Sequence, residues 1–225
     1  MNNPRQPQDF SPNIARALLL LNEHFESFWS IQPLAIATSH PVPMDTRGWS
    51  QILASLLSGY SGLSRQKGAD LSDGSDVKGA NTWEAIDTPR FNGVIKSGTL
   101  SETSDDIASL DIMPNLYLVL WDKTPRETYR CRVWVVNTQQ DQVFRAVARN
   151  WYNKKITGVI KSSNFQLHPP RGLDSNTIRN TCGNLNYPLL LSAERFCLDG
   201  ESEDRYHLVE YSPNLITDGR CQVCN

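Results

Sequence analysis

Three aspartates and a lysine, Asp70, Asp73, Asp76 and Lys78, crowd together in the stretch GADLSDGSDVKGANTW. Asp-Gly is a turn signal because both residues accept positive φ, so Asp73 and Gly74 are expected to reverse the chain between two short strands. Asp70 and Asp76 then flank the turn, with Val77 on the opposite face and Lys78 back on the face of Asp76, since strand side chains alternate. Two converging carboxylates repel unless a cation lies between them, and two carboxylates with open water positions are a normal way to hold Mg²⁺. Asp73 is the alternative first ligand in place of Asp70.

The surrounding chain favours phosphate chemistry. The formal net charge of −2 hides a segregation: residues 126–171 carry nine basic and two acidic side chains, whereas residues 48–125 carry six and ten. Cations to hold a phosphodiester backbone beside carboxylates to hold a metal are what phosphodiester cleavage needs. Within the basic segment Arg145, Arg149, Lys154, Lys155 and Lys161 are candidate contacts to duplex DNA, with Arg145 and Arg149 on one helix face suited to following the backbone. His168 and Arg171, in the stiff LHPPRG loop, are candidates to enter a groove. The competing readings are a solvated basic helix face for the segment and a satisfied loop histidine for His168.

Elements to position these residues are legible in the pattern. Pro12 suits a first helical turn, and Ile14, Leu18, Leu21, Phe25 and Phe28 recur at helical spacing. Asp45 and Thr46 are possible caps of a second helix bearing Trp49, Ile52, Leu53, Leu56, Leu57 and Tyr60 on one face. A Gly/Ser loop leads into the acidic hairpin. Residues 115–123 (NLYLVLWDK) and 129–137 (YRCRVWVVN) read as strands joined by a turn at Pro125. Thr138 and Asp141 resemble a capping box for a helix with Phe144, Val147, Ala148 and Trp151 on one side. Beyond it the pattern loosens into an irregular C-terminal tail. The order implies a mixed α/β fold with a central sheet.

With 225 residues, 39% of them hydrophobic, the chain can bury a sizeable core. The longest apolar run, ALLLL at residues 17–21, is too short to span a bilayer, and no charged segment precedes a signal-like core, so the cytoplasm is the expected location. Five cysteines are not a secreted disulfide framework. Cys182, Cys197, Cys221 and Cys224 would complete a tetrahedral structural zinc site in the tail, or they are four unlinked thiols. Cys131 reads as a small core residue, and Trp49, Trp134 and Trp151 read as core packing.

With the acidic turn placed, Asp70 followed by Asp76-Val77-Lys78 resembles the PD-(D/E)XK nuclease signature. RGWSQILASLLSG ahead of it resembles the DNA-nicking repair enzyme MutH and its restriction-enzyme relatives, and NFQLHPPRG with NTCGNLNYPLLL resembles type II restriction endonucleases of the MamI kind. The resemblance implies a restriction-endonuclease-like core, a central mixed sheet flanked by helices. It implies a single nuclease domain over residues 1–225; the cysteines, independently, make 172–225 a candidate small zinc-stapled subregion. It further implies a Mg²⁺-dependent enzyme that cuts double-stranded DNA at a short specific site as a homodimer. Asp70 and Asp76 would bind the metal, and Lys78 would orient the attacking water or stabilise developing charge. Ala69 stands where the signature has proline, and Ser55 stands where MutH-like enzymes direct a helix glutamate at the metal; Glu23 or Glu26 would be its substitute. A strand-nicking repair nuclease and a non-catalytic, zinc-containing DNA-binding protein are the other readings.

Overall fold

The computed structural model describes residues 10–43, 45–63, 68–85, 87–93 and 107–217. A five-stranded sheet in the order β1-β2-β3-β6-β7 forms its centre, and β4 and β5 make a separate two-stranded sheet. The strands are β1 (Asp76–Asn81), β2 (Asn115–Lys123), β3 (Tyr129–Asn137), β4 (Thr177–Asn180), β5 (Gly183–Asn186), β6 (Leu191–Phe196) and β7 (Arg205–Tyr211). Strand β1 runs parallel to β2 and every other pairing is antiparallel, so the sheet is mixed.

Strands β2 and β3 fall on the expected residues because each is a near-continuous run of Leu, Val, Tyr and Trp buried on both faces. Leu116, Leu118, Leu120, Trp134 and Val136 face one core layer, and Tyr117, Val119, Trp121, Val133 and Val135 face the other. Each fully buried Leu or Val contributes about 1.5–3 kcal/mol of transfer free energy, so these two strands anchor both core layers.

Helices cover both faces. On the Tyr117 face lie α1 (Ile14–Ser30), the short α2 (Gln32–Ala37) and α3 (Arg47–Ser58); on the Leu116 face lies α4 (Gln142–Ile156). Asn13 caps α1 by accepting a hydrogen bond from the Arg16 N–H at 3.0 Å, which leaves Pro12 outside the first turn. Ala17, Leu21, His24 and Phe28 form its buried stripe, with Ile14, Leu18 and Phe25 half-buried beside it. At the start of α3 the Asp45 carboxylate accepts from the Arg47 N–H at 2.9 Å, whereas the Thr46 side chain makes no cap. Ile52, expected on the apolar face of α3, is exposed. The capping box of α4 is likewise half of what the pattern predicts: Asp141 caps Phe144 N–H at 2.9 Å, but the Thr138 hydroxyl donates to the Met113 carbonyl instead. A short helix, α5 (Asn214–Thr217), ends the described chain.

After residue 172 the chain is more regular than its composition indicates, since β6 and β7 complete the central sheet. A buried charge cluster helps to hold this part. Asp122 accepts from Arg130 (3.0 and 2.8 Å) and from Arg132 (2.6 Å), and the two guanidinium groups go on to donate to the carbonyls of Leu173 and Ser175. Asp122 and Arg132 are each 2% exposed, so two of the cations counted in the basic segment face the interior and not solvent. Trp83, Trp121, Trp134 and Trp151 are buried, and Trp49 packs half-buried against the core layer on the Tyr117 face.

Candidate active site

The turn before β1 builds the site. The Asp70 and Leu71 N–H groups both donate to the Ser75 carbonyl, at 3.0 and 3.1 Å, and the Gly74 N–H donates to the Leu71 carbonyl at 3.0 Å. Gly74 takes a φ of 95°, as the turn requires. The expected two-strand hairpin does not form around it: Leu71 makes a single bridge to Gly62, and β1 pairs with β2. Asp73 is used up within the turn, its two oxygens accepting from the Ser75 N–H (2.9 Å) and hydroxyl (2.7 Å).

Asp70 sits at the neck of the turn and Asp76 opens β1, and their carboxylates face each other across it. One Asp70 oxygen accepts from the Val77 N–H at 3.0 Å, and the other from the Gln51 side-chain amide of α3 at 2.6 Å. Asp76 accepts from the same Val77 N–H at 3.0 Å and from the Lys78 ammonium at 2.7 Å. Strand alternation thus returns Lys78 to the face of Asp76 and sends Val77 into the core. Helix α3 approaches closely because Gly79 faces it: a Cβ there would lie 2.4 Å from the Ser50 hydroxyl oxygen and 2.9 Å from that of Thr46.

Asp70 and Asp76 are 9% and 8% exposed. Burial, and then the hydrogen bond with Asp70, raise the Asp76 carboxyl from its ordinary 3.8 to about 6, with Lys78 pulling the other way. Within hydrogen-bond distance the two desolvated carboxylates meet one cation, the Lys78 ammonium on Asp76, while the exposed Arg47 guanidinium stays 3.9 Å from Asp70, so the pair is short of close positive charge. That deficit fits a hard divalent cation, which needs only one or two carboxylates and keeps several waters. Among the described residues no group of three or more His, Cys, Asp or Glu side chains converges, so further ligands would be water or carbonyl oxygen. Ser55 supplies no acid from α3, and Glu26 does not substitute for one: it pairs with Arg195 of β6 at 2.9 Å, three strands away from β1. What α3 does bring is Gln51, one helical turn before Ser55 and on the same face.

A cleft of about 580 Å³ opens beside these groups, lined by Arg47, Lys78, Arg90, Asn92, Asn164 and Gln166 among others. Arg47 also lies 3.9 Å from Asp70. Apart from Lys78, the polar lining was not singled out in the sequence, since isolated Arg and Asn residues in loops carry no spacing signal.

The seven residues expected to contact DNA lie elsewhere. Arg145 is committed to Asp111 at 2.6 Å and to the Thr138 carbonyl, so it is not a free cation. Arg149, Lys161 and Arg171 are exposed, Lys154 is half-buried, and the Lys155 ammonium donates to the Lys161 carbonyl at 3.2 Å. His168 exchanges backbone hydrogen bonds with Arg179, and burial together with Arg179 lowers its pKa. Cys182 packs against the α4 side of the core, whereas Cys197 is exposed near the Glu201 carbonyl; Cys221 and Cys224 lie outside the described residues. Cys131 is a buried core residue.

Residues 33–197 match the family model of the MamI restriction endonuclease. Over 175 residues the chain is 29% identical to the type II restriction enzyme MamI of Microbacterium ammoniaphilum, covering 72% of this chain and 55% of that protein. The chain therefore spans about half the length of the curated relative it matches. No solved structure matches it.

Proposed function

Because the chain belongs to the MamI restriction endonuclease family, we propose that it is a type II restriction endonuclease, hydrolysing phosphodiester bonds of double-stranded DNA at a short specific site with Mg²⁺. The observation that carries this reading is the assembly of Asp70, Asp76 and Lys78 at the start of β1, beside a cleft whose charged lining is cationic.

Asp70 and Asp76 are the residues that would hold the metal, and Gln51 and the Val77 N–H fix the Asp70 carboxylate in place. When bound, the metal neutralises charge on the scissile phosphate and lowers the pKa of a coordinated water. Lys78 both lines the cleft and touches Asp76, so its ammonium is positioned to orient the attacking water or to stabilise the developing negative charge. Arg47 and Arg90 attract the phosphate backbone to the cleft, and the exposed Arg149, Lys161 and Arg171 extend that field. A palindromic duplex site is best matched by a two-fold symmetric pair of subunits, so the working form is a homodimer. No described helix is long and apolar enough to cross a membrane, which accords with action on DNA in the cytoplasm.

Incubating the purified protein with unmethylated phage DNA, with Mg²⁺ or with EDTA, tests the proposal. Discrete double-strand fragments appearing only with Mg²⁺ support it. Nicked circles without linear product would turn the reading to a strand-nicking nuclease, and retarded but intact DNA with every divalent ion to a binding protein.

A further inference from the structure

The wall of the cleft opposite β1 is an extended strap, residues 164–168, in which buried and cleft-facing side chains alternate. Phe165 and Leu167 are fully buried. The Phe165 ring stands edge-on to Phe144 and Trp151 of α4, with centroids 6.0 and 5.5 Å away. Between them Asn164 and Gln166 line the cleft. Hydrogen bonds to two other segments pin the strap: Leu167 exchanges backbone bonds with Phe91 at 2.8 and 3.2 Å, and β4 holds it twice, through the backbone exchange of His168 with Arg179 and through the Asn180 side chain, which donates to the Gln166 carbonyl at 2.8 Å. Neither the Asn164 nor the Gln166 carboxamide has a hydrogen-bond partner among the described residues.

A carboxamide N–H can donate to phosphate but brings no charge to hold it. A carboxamide offers a donor and an acceptor side by side, the combination that discriminates base edges in a groove. The cations of the same cleft, Arg47 and Arg90, stand apart on α3 and on the loop before Phe91. We propose that Asn164 and Gln166 read base edges of the duplex while Arg47 and Arg90 hold its backbone, so that the strap is a specificity element of the enzyme. The inference rests on the endonuclease reading above. The pinning keeps the two amides in place before DNA arrives, which reduces the ordering cost of recognition.

Sequencing the ends made from a randomised duplex library by the wild-type protein, Gln166→Ala, Gln166→Glu, Asn164→Ala and Arg90→Ala tests it, with the duplexes retained by each protein sequenced in parallel. The Gln166 and Asn164 variants are expected to cut the preferred site on the order of 10- to 100-fold more slowly and to lose discrimination at one or two base positions, with the others kept. Arg90→Ala is expected to weaken binding evenly across sequences and to reduce its salt dependence. Wild-type cleavage at a defined site with unchanged base preference in all three amide variants would overturn the strap proposal and leave the endonuclease reading intact. Should the wild-type protein cut nothing, the endonuclease reading fails, and the retained pool decides the strap: enrichment altered by Gln166→Glu supports base reading, and unaltered enrichment overturns it. The Gln166 side chain makes no intramolecular hydrogen bond among the described residues, so its variants are expected to keep the wild-type melting temperature.

Discussion

Lys78 places its ammonium 2.7 and 2.6 Å from the two oxygens of Asp76, two residues earlier on the same strand. The contact is local in sequence, yet what makes it a site is distant: Gln51 of α3 holds the second carboxylate, Asp70, in line with it.

Gln51 is therefore a positioning residue. Gln51→Ala removes the 2.6 Å hydrogen bond to Asp70 without touching the core. The Mg²⁺ concentration needed for half-maximal cleavage is expected to rise on the order of 10- to 100-fold, with the saturated rate much less affected. Titrating cleavage with Mg²⁺ measures both, and an unchanged metal dependence would mean that Asp70 is oriented by Val77 alone.

Gly79→Ala forces a methyl group against Ser50 and Thr46, and Ser50 has little room to turn because it is fully buried and accepts from the Trp121 indole at 3.3 Å. Overpacking of this kind costs about 1–3 kcal/mol. Chemical denaturation is expected to show that loss, and cleavage is expected to fall further than stability because α3 carries Gln51 and Arg47.

His24 gives a pH dependence. It is 3% exposed among Trp49, Trp83, Trp121 and Phe28, and burial lowers its pKa from 6.5 to about 4. Between those values the unfolded chain binds the proton and the folded chain does not, so the His24 contribution to stability is complete above pH 6.5 and is lost as the pH falls toward 4. The loss amounts to about 3 kcal/mol. Asp76, raised to about 6, acts with the opposite sign in the same window in both proteins, so the quantity to read is the stability of His24→Phe relative to wild type: it is expected to rise as the pH falls from 7.5 to 4, and a constant difference would place the effect elsewhere.

Asp122 balances two buried guanidinium groups. Asp122→Ala leaves them unpaired and is expected to cost about 3–5 kcal/mol in denaturant unfolding, while loosening the Leu173 and Ser175 loop that they hold.

Much of this was legible in the sequence. Strands β2 and β3 announce themselves by apolar runs at their full length, and Asp76-Val77-Lys78 is a local pattern whose geometry follows from strand alternation. The segment after residue 172 was less readable, since β7 is half-exposed and β4 and β5 are four residues each, too short for a periodic signal. Charge counting also overstated the basic surface, because Arg130, Arg132 and Arg145 are consumed by Asp122 and Asp111. Gln51 carries no signal of its own in the sequence: the resemblance implies an acid at Ser55, one turn later on the same helix, and a lone helix glutamine has no spacing pattern. Asn164 and Gln166 come to the cleft through tertiary pairing of their strap with Phe91 and with β4.

The most direct test of the central claim is single-turnover cleavage of a duplex carrying the preferred site, with Mg²⁺, by the wild-type protein and by Asp76→Ala and Lys78→Ala, alongside DNA binding and thermal melting of each. The account predicts a fall in rate on the order of 100- to 1000-fold or more in both variants, with DNA still bound and the fold retained. Cleavage at the wild-type rate by either variant would contradict it.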